Sequence, residues 1–414
     1  MKLQKHLTIG LVSPYALVAG GVQNHITYLK KNLENLGHTV YTFAPRIDKE
    51  APPDSKTFLL GKSLLLYTEG TLVPLGIWPQ EGDRIKEIID SIPFDIFHFH
   101  SPLISPTSWQ IMSYAHTPIV ITFHEAREKP SPLYHLARIP LSFISKKTQK
   151  MIAVSHAAAK TISPYLDNPL TIIPNGIDCA RFSLAGPTHP WFDDTRFTLL
   201  FLGRLEERKG IRQLLQAYPQ IKTHIPNVQL VVAGQGILEA DVKQIIKDKS
   251  LLDVRLVGYV PEEEKPLYYR SCHVYCAPAT QDESFGIVLL EAMSSGKAIV
   301  ASANSGYKEL LEKSGAGILV PPRDIHAFAD AVIQLADNDK KRETMGKKGI
   351  EKARHYDWSI LTPSIVAIYN EAITVYKRGK KEEQKPPLPT FADMWNQVVN
   401  SLKEKDELFA PKNQ

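Results

Sequence analysis

The chain has 414 residues, more than one hydrophobic core usually serves, so two domains of ordinary size are expected. Hydrophobic residues at 43% and charged residues at 22% exclude a disordered chain, and a net charge of +5 is too modest to mark a nucleic-acid binder. Three cysteines, Cys179, Cys272 and Cys276, offer neither a disulfide framework nor paired zinc-type units, which points to a reducing cytoplasm.

In chain order, the first segment runs from charged Lys2, Lys5 and His6 straight into Leu7 to Val12, strand-sized and without the apolar core of a signal peptide. Further apolar runs follow at Val40 to Ala44, Ile96 to His100, Ile119 to Phe123, Met151 to Val154 and Leu170 to Ile173. Between the first two, Ile26, Leu29, Leu33 and Leu36 share one helical face. A second series comprises Phe197 to Leu202, Val228 to Ala233, Val254 to Val257, Val274 to Ala277, Ala298 to Ala301 and Gly317 to Val320. Short apolar runs alternating with helical segments predict two doubly wound α/β sheets in tandem. Turn chemistry at Pro174-Asn175-Gly176-Ile177-Asp178 places the hinge between them.

The predicted organisation is therefore residues 1–178 as a first domain and 179–357 as a second. A helix over 358–378 crosses back to the first, and 379–414 is a linker with an amphipathic tail helix near 390–403. No stretch approaches the roughly 20 apolar residues of a membrane span, so any membrane contact is peripheral, from the cytosolic face.

The most specific motif is Glu283-Ser284-Phe285-Gly286-Ile287-Val288-Leu289-Leu290-Glu291, just after a predicted strand. Glu283 belongs on a loop, Ser284 to Gly286 open a helix with free N–H groups, and Glu291 lies one or two turns inside it. Free N–H groups at a helix start bind phosphate oxygens, and carboxylates accept hydrogen bonds from sugar or ribose hydroxyls. The second motif, Gly203-Arg204-Leu205-Glu206-Glu207-Arg208-Lys209-Gly210, carries three cations at the carboxyl end of the second domain's first strand, where open α/β sheets bind ligands. Fixed cations there stabilise the charge of a departing diphosphate; Arg204 and Lys209 are the candidates. Elsewhere in a fold the same residues would make an ordinary charged turn.

Gly20-Gly21-Val22-Gln23-Asn24-His25 opens the first helix with glycines that let backbone approach a phosphate, although the full dinucleotide fingerprint is absent. Gly234-Gln235-Gly236 lines the donor site or simply turns the chain, and Glu239 where a third glycine would stand argues against a dehydrogenase. His124 ends a strand at the expected cleft, whereas His98, His100 and His156 read as structural. No His, Cys or carboxylate cluster shows metal-ligand spacing, so neither metal nor cofactor is expected.

Together with Phe94 to His100, Thr122-Phe123-His124, Ala153-Val154-Ser155, Ile173 to Asp178, and Tyr275-Cys276-Ala277-Pro278 leading into Glu283, these segments resemble the retaining glycosyltransferases of the GT-B fold, glycosyl transferases group 1. The resemblance spans Leu7 to about Arg378 and leans toward the phosphatidylinositol mannosyltransferase branch. It implies two Rossmann-like domains with parallel sheets facing across a cleft. It also implies His124 beside the reacting centre, Glu283 on the donor sugar, Glu291 on the ribose, and Arg204 with Lys209 on the diphosphate. Gly20, Gly21, Gly234, Ser284, Phe285, Gly286 and Ile287 complete the donor side, while Gln23, Tyr67, Thr68, Arg127 and Lys129 are the acceptor-side candidates.

The implied activity is transfer of a hexose from GDP-mannose, or from a UDP-hexose, to a lipid-linked or glycan hydroxyl, with retention and without a metal. One departure concerns the basic helix by which inositol-lipid enzymes hold a bilayer. Its counterpart here, Glu81-Gly82-Asp83-Arg84-Ile85-Lys86-Glu87, is mixed in sign, leaving Arg127, Lys129, Lys146 and Lys147 as replacements. Two rivals are a sugar-nucleotide epimerase of the same fold, which consumes donor without acceptor, and a non-catalytic nucleotide-sugar or lipid-binding scaffold.

Overall fold

The computed structural model describes residues 5–17, 20–46, 52, 54–68, 71–78, 81–128, 138–190, 192 and 195–381. Lys129 and the tail segment 390–403 lie outside the described residues.

Eight strands build the first sheet: β1 (Thr8–Val12), β2 (Thr39–Arg46), β3 (Thr57–Thr68), β4 (Thr71–Trp78), β5 (Ile96–His100), β6 (Ile119–Phe123), β7 (Lys150–Ala153) and β8 (Leu170–Ile172). Their spatial order is β4-β3-β2-β1-β5-β6-β7-β8, parallel except for β4, which pairs antiparallel with β3. The second sheet holds β9 (Phe197–Leu202), β10 (Val228–Ala233), β11 (Val254–Gly258), β12 (Val274–Ala277), β13 (Ala298–Ser302) and β14 (Gly317–Val320), in the order β11-β10-β9-β12-β13-β14. The hairpin β3–β4 is an addition to the predicted strands. It turns the expected all-parallel first sheet into seven parallel strands with an antiparallel edge.

Both sheets are buried on two faces, and strand periodicity decides which residue meets which layer. On β5, Phe97 and Phe99 enter one core with Phe43, Trp109 and Ile121. Ile96 points the other way, into a core with Ile26 and Leu29 of helix Gly21–Asn35 and with Trp358, Ile365 and Tyr369 of helix Trp358–Lys381. His98 shares that second face, and its Nδ1 meets the Tyr369 hydroxyl at 2.8 Å. In the second domain Leu199 and Phe201 enter one core and Leu200 and Leu202 the opposite one.

The helix Trp358–Lys381 thus completes the first domain's core although it follows the second domain in sequence. Two stretches of backbone run side by side at this crossing. Ile177 N–H donates to Tyr356 O at 2.9 Å, and Trp358 N–H donates to Ile177 O at 3.1 Å. The Trp358 ring lies on Gly176, where a Cβ would stand 2.4 Å from a ring carbon. No helix of the described residues is long and apolar enough to cross a membrane.

Candidate active site

In each sheet the strand order reverses once, between β1 and β5 in the first and between β9 and β12 in the second. The loops leaving neighbouring parallel strands diverge at such a point and open a crevice at their carboxyl ends. Three of the singled-out motifs leave these very strands: the Gly20-Gly21 loop after β1, Arg204 to Lys209 after β9, and Glu283 after β12, while His124 follows β6, the neighbour of β5.

The donor-side loop is a charge cluster. Glu206, nearly fully buried, pairs with Arg204 at 3.1 Å and Arg208 at 3.3 Å. Glu283 Oε1 accepts from Arg208 Nη1 at 2.9 Å and from Lys209 Nζ at 2.5 Å. Burial pushes the Glu283 carboxyl up, but the Lys209 and Arg208 cations outweigh it and hold the group below its ordinary range. Arg204 keeps about half its side chain exposed. Arg208 and Glu206 were not singled out from the sequence, where Arg204 and Lys209 were preferred among the three cations of the turn.

The expected helix begins later than predicted. Its first residue is Ile287, and Gly286 is the N-cap, with a φ of 100° that the backbone of a side-chain-bearing residue rarely adopts. Ser284 and Phe285 precede the helix instead of opening it. The Phe285 side chain is committed to the core, so a ligand contact there would fall to backbone. Glu291 is buried one turn further in, and its Oε2 accepts from the Tyr269 hydroxyl at 2.7 Å. Burial raises the Glu291 pKa against the opposing Lys265 cation. Gly234 follows β10, its loop tied to the 203–205 turn by Leu205 N–H donating to Gln235 O at 2.9 Å.

The first domain meets these residues directly. Ser155 Oγ donates to Ser284 O at 2.5 Å, and Glu128 N–H donates to Asp282 Oδ1 at 3.0 Å. Asn24 Nδ2 donates to Glu262 Oε1 at 2.8 Å. Gly21 faces Ile287, a Cβ there lying 3.8 Å from the Ile287 Cδ1. Gly20 is the N-cap of helix Gly21–Asn35 in extended conformation.

Four histidines collect beneath this crevice. His100 Nδ1 and His124 Nε2 lie 3.0 Å apart, His25 Nδ1 meets Asn175 Oδ1 at 2.8 Å, and His98 Nε2 meets Thr122 Oγ1 at 2.7 Å. Burial keeps the imidazoles neutral, lowering His25 to about 4 and His98 to about 3, with His100 and His124 also well below the usual value. No metal-ligand spacing was visible in the sequence, yet the fold gathers a histidine trio. His25, His100 and His124 bring one ring nitrogen each to within 4.8 Å of the others. Sequence spacing hides the trio because its members come from three distant segments that only the sheet joins.

The acceptor-side candidates divide. Gln23 donates its amide to Ala16 O at 3.2 Å and so secures its own loop. Arg127 reaches across to Asp282 at 3.9 Å. Tyr67 and Thr68 end β3, with their side chains outside the described residues, as is Lys129. Among the proposed membrane cations, Lys147 turns inward to cap the carbonyls of Met112 and Ser113, while Lys146 is exposed. Helix Gly82–Ser91 buries Ile85 and Ile89, and Arg84 is bound to Glu81 at 2.7 Å, so this helix offers no basic face of the kind that holds a bilayer.

Residues 190–352 match the family model described as glycosyl transferases group 1, and residues 19–181 match glycosyltransferase family 4. A phosphatidyl-myo-inositol mannosyltransferase of Mycobacterium tuberculosis is 35% identical over 382 residues, which is 91% of this chain and 99% of that protein. One from Propionibacterium freudenreichii is 29% identical over 389 residues, 91% and 99% of the two chains. The solved sucrose-phosphate synthase of Thermosynechococcus elongatus superposes with a TM-score of 0.72 at 21% identity, over 89% of this chain and 100% of that one. HepE of Anabaena, solved with UDP and glucose, gives 0.68 at 17%, over 88% and 100%. With its two α/β domains, its crevice at the switch points and these matches across both halves, the chain belongs to the glycosyl transferases group 1 family and has the GT-B fold.

Proposed function

We propose that this glycosyltransferase moves a hexose, mannose first, from a nucleotide diphosphate donor to a hydroxyl of a lipid-linked or glycan acceptor, retaining the anomeric configuration. GDP-mannose is the preferred donor, ahead of a UDP-hexose. The observation that carries the reading is the meeting of Arg204, Arg208, Lys209 and Glu283 at the second sheet's switch point, with Glu291 buried in the helix that follows. The mannosyltransferases at 35% identity over nearly their whole length favour mannose and an inositol lipid.

In this reading Arg204 and Lys209 take the diphosphate, Glu283 accepts from sugar hydroxyls and Glu291 from the ribose. As the bond between the anomeric carbon and the phosphate oxygen breaks, charge grows on the phosphate, where the fixed cations stabilise it more than in the ground state. The acceptor oxygen attacks from the same face, and its proton passes to the leaving phosphate. His124 stands beside the reacting carbon, held through His100. Protein cations thus meet the diphosphate charge, and the reaction needs no added metal.

The test is incubation of the full chain with GDP-mannose and phosphatidylinositol vesicles, followed by analysis of the lipid. A mannosylated lipid with the donor's anomeric configuration, formed equally in EDTA, is expected; Glu283→Gln lowers kcat by about 10²-fold or more. An inverted linkage, or donor consumption without any acceptor product, contradicts the proposal.

A further inference from the structure

We propose that His25, His100 and His124 form a three-nitrogen binding site for a divalent cation of the zinc class, and that an ion seated there switches off sugar transfer. The binding claim stands on the histidine geometry alone. The inhibitory claim rests on the role given to His124 above.

One nitrogen from each ring already lies within 4.8 Å of the other two. An ion about 2.0–2.1 Å from each nitrogen in a tetrahedral arrangement sets its ligands about 3.4 Å apart. The His100–His124 pair, at 3.0 Å, is close to that edge. His25 has to close the remaining distance, and its ring stands edge-on to both, with centroids 5.2 Å from His100 and 4.8 Å from His124.

An independent observation points to a ligand. The Nε2 atom of His25 is buried without a hydrogen-bond partner, although buried ring nitrogens ordinarily have one. The His25 tautomer follows from its neighbour. Asn175 Oδ1, 2.8 Å from His25 Nδ1, is an acceptor, so Nδ1 carries the hydrogen and Nε2 presents its lone pair. A histidine fixed through its second nitrogen by an oxygen acceptor is the usual arrangement of a metal ligand.

The donor set selects the cation. Three imidazoles suit zinc, cobalt, nickel or copper, whereas magnesium and calcium require oxygen ligands that the trio does not contain. The hydrogen held between His100 Nδ1 and His124 Nε2 moves to the other nitrogen of its own ring as the ion binds, so each neutral ring keeps one N–H and presents one lone pair, and no proton is lost to solvent. Coordination replaces the hydrogen bond between His100 and His124 and takes His124 away from the reacting carbon.

The experiment is a titration of Co²⁺ into the full chain, purified without a histidine tag and stripped of metal, read by visible absorption. The intense bands of tetrahedral cobalt should saturate at one ion per chain, vanish on adding Zn²⁺ and persist in excess Mg²⁺. His25→Phe and His100→Phe should each weaken Co²⁺ binding at least ten-fold, with folding checked by circular dichroism. His156→Ala, an exposed histidine elsewhere, should leave it unchanged. A readout on the wild-type chain does not depend on the variants folding: Zn²⁺ should shift the imidazole nitrogen resonances of three histidines.

Absent cobalt bands with unshifted imidazole resonances overturn the site, and so do bands that survive both Phe substitutions. Transfer should fall with Zn²⁺ at the concentration that displaces cobalt, and the midpoint should rise at least ten-fold in His25→Phe relative to that variant's own metal-free rate. Zinc binding with undiminished transfer overturns the inhibitory claim. A chain that shows the cobalt bands but transfers no sugar contradicts the proposed function and leaves the binding site standing.

Discussion

Glu291 is a carboxylate kept where a carboxylate is unfavourable. Burial raises its pKa, so ionising it at neutral pH costs the folded state stability that it retains at low pH. The sign follows from proton counting: between the unfolded and folded pKa values the native chain binds more protons, and stability falls as pH rises. Glu291→Gln preserves the acceptor for the Tyr269 hydroxyl and removes the charge. The variant should be more stable than the wild type at pH 7, and the difference should close as pH falls below the ordinary carboxylate range. Urea titrations at the two pH values check this; equal stability at pH 7 would refute it. The placement of Glu283 on a loop and Glu291 inside a helix was legible because Ser284-Phe285-Gly286 between them marks the helix start. Arg208, Glu206 and His25 were not, since their roles are set by which of several similar neighbours turns inward.

Where the chain passes between domains, two segments act as one element. Backbone bonds join Ile177 to Tyr356 and Trp358, and the indole covers Gly176 with no room for a methyl group. Gly176→Ala forces the indole or the turn to move and should cost about 2 kcal/mol, measured by denaturant unfolding; a variant as stable as wild type would show the crossing to be loose. The twelve anticipated strands were legible because parallel strands buried on both faces read as unbroken apolar runs. The hairpin β3–β4 was missed for a physical reason. Lys62, Ser63, Pro74 and Gly76 interrupt its apolar pattern, as an edge with its own pairing partner tolerates.

Across the whole molecule, the two domains are held together partly by Ala153, Val154 and Ala158 packing into the second domain's core beside Phe285 and Leu289, and partly by a few polar bonds over the crevice: Asn24 to Glu262, Ser155 to Ser284, Glu128 to Asp282, and His156 to Glu309 at 2.9 Å. Interfaces of this kind yield to domain motion. Replacing Asn24, Asp282 and Glu309 together by alanine should open the cleft, seen as a larger radius of gyration in solution scattering with unchanged circular dichroism. An unaltered radius would mean that apolar packing, not these bonds, sets the closed shape.

The central claim is that the cations after β9 and the acidic segment after β12 grip one diphosphate sugar. Calorimetric titration of GDP-mannose into the wild type, Arg204→Ala and Glu291→Gln tests it most directly. The account predicts saturable binding to the wild type and at least ten-fold weaker binding to each variant, since the two substitutions remove contacts to different parts of the same ligand. Undiminished affinity in either variant, or no binding of any nucleotide sugar to the wild type, would contradict it.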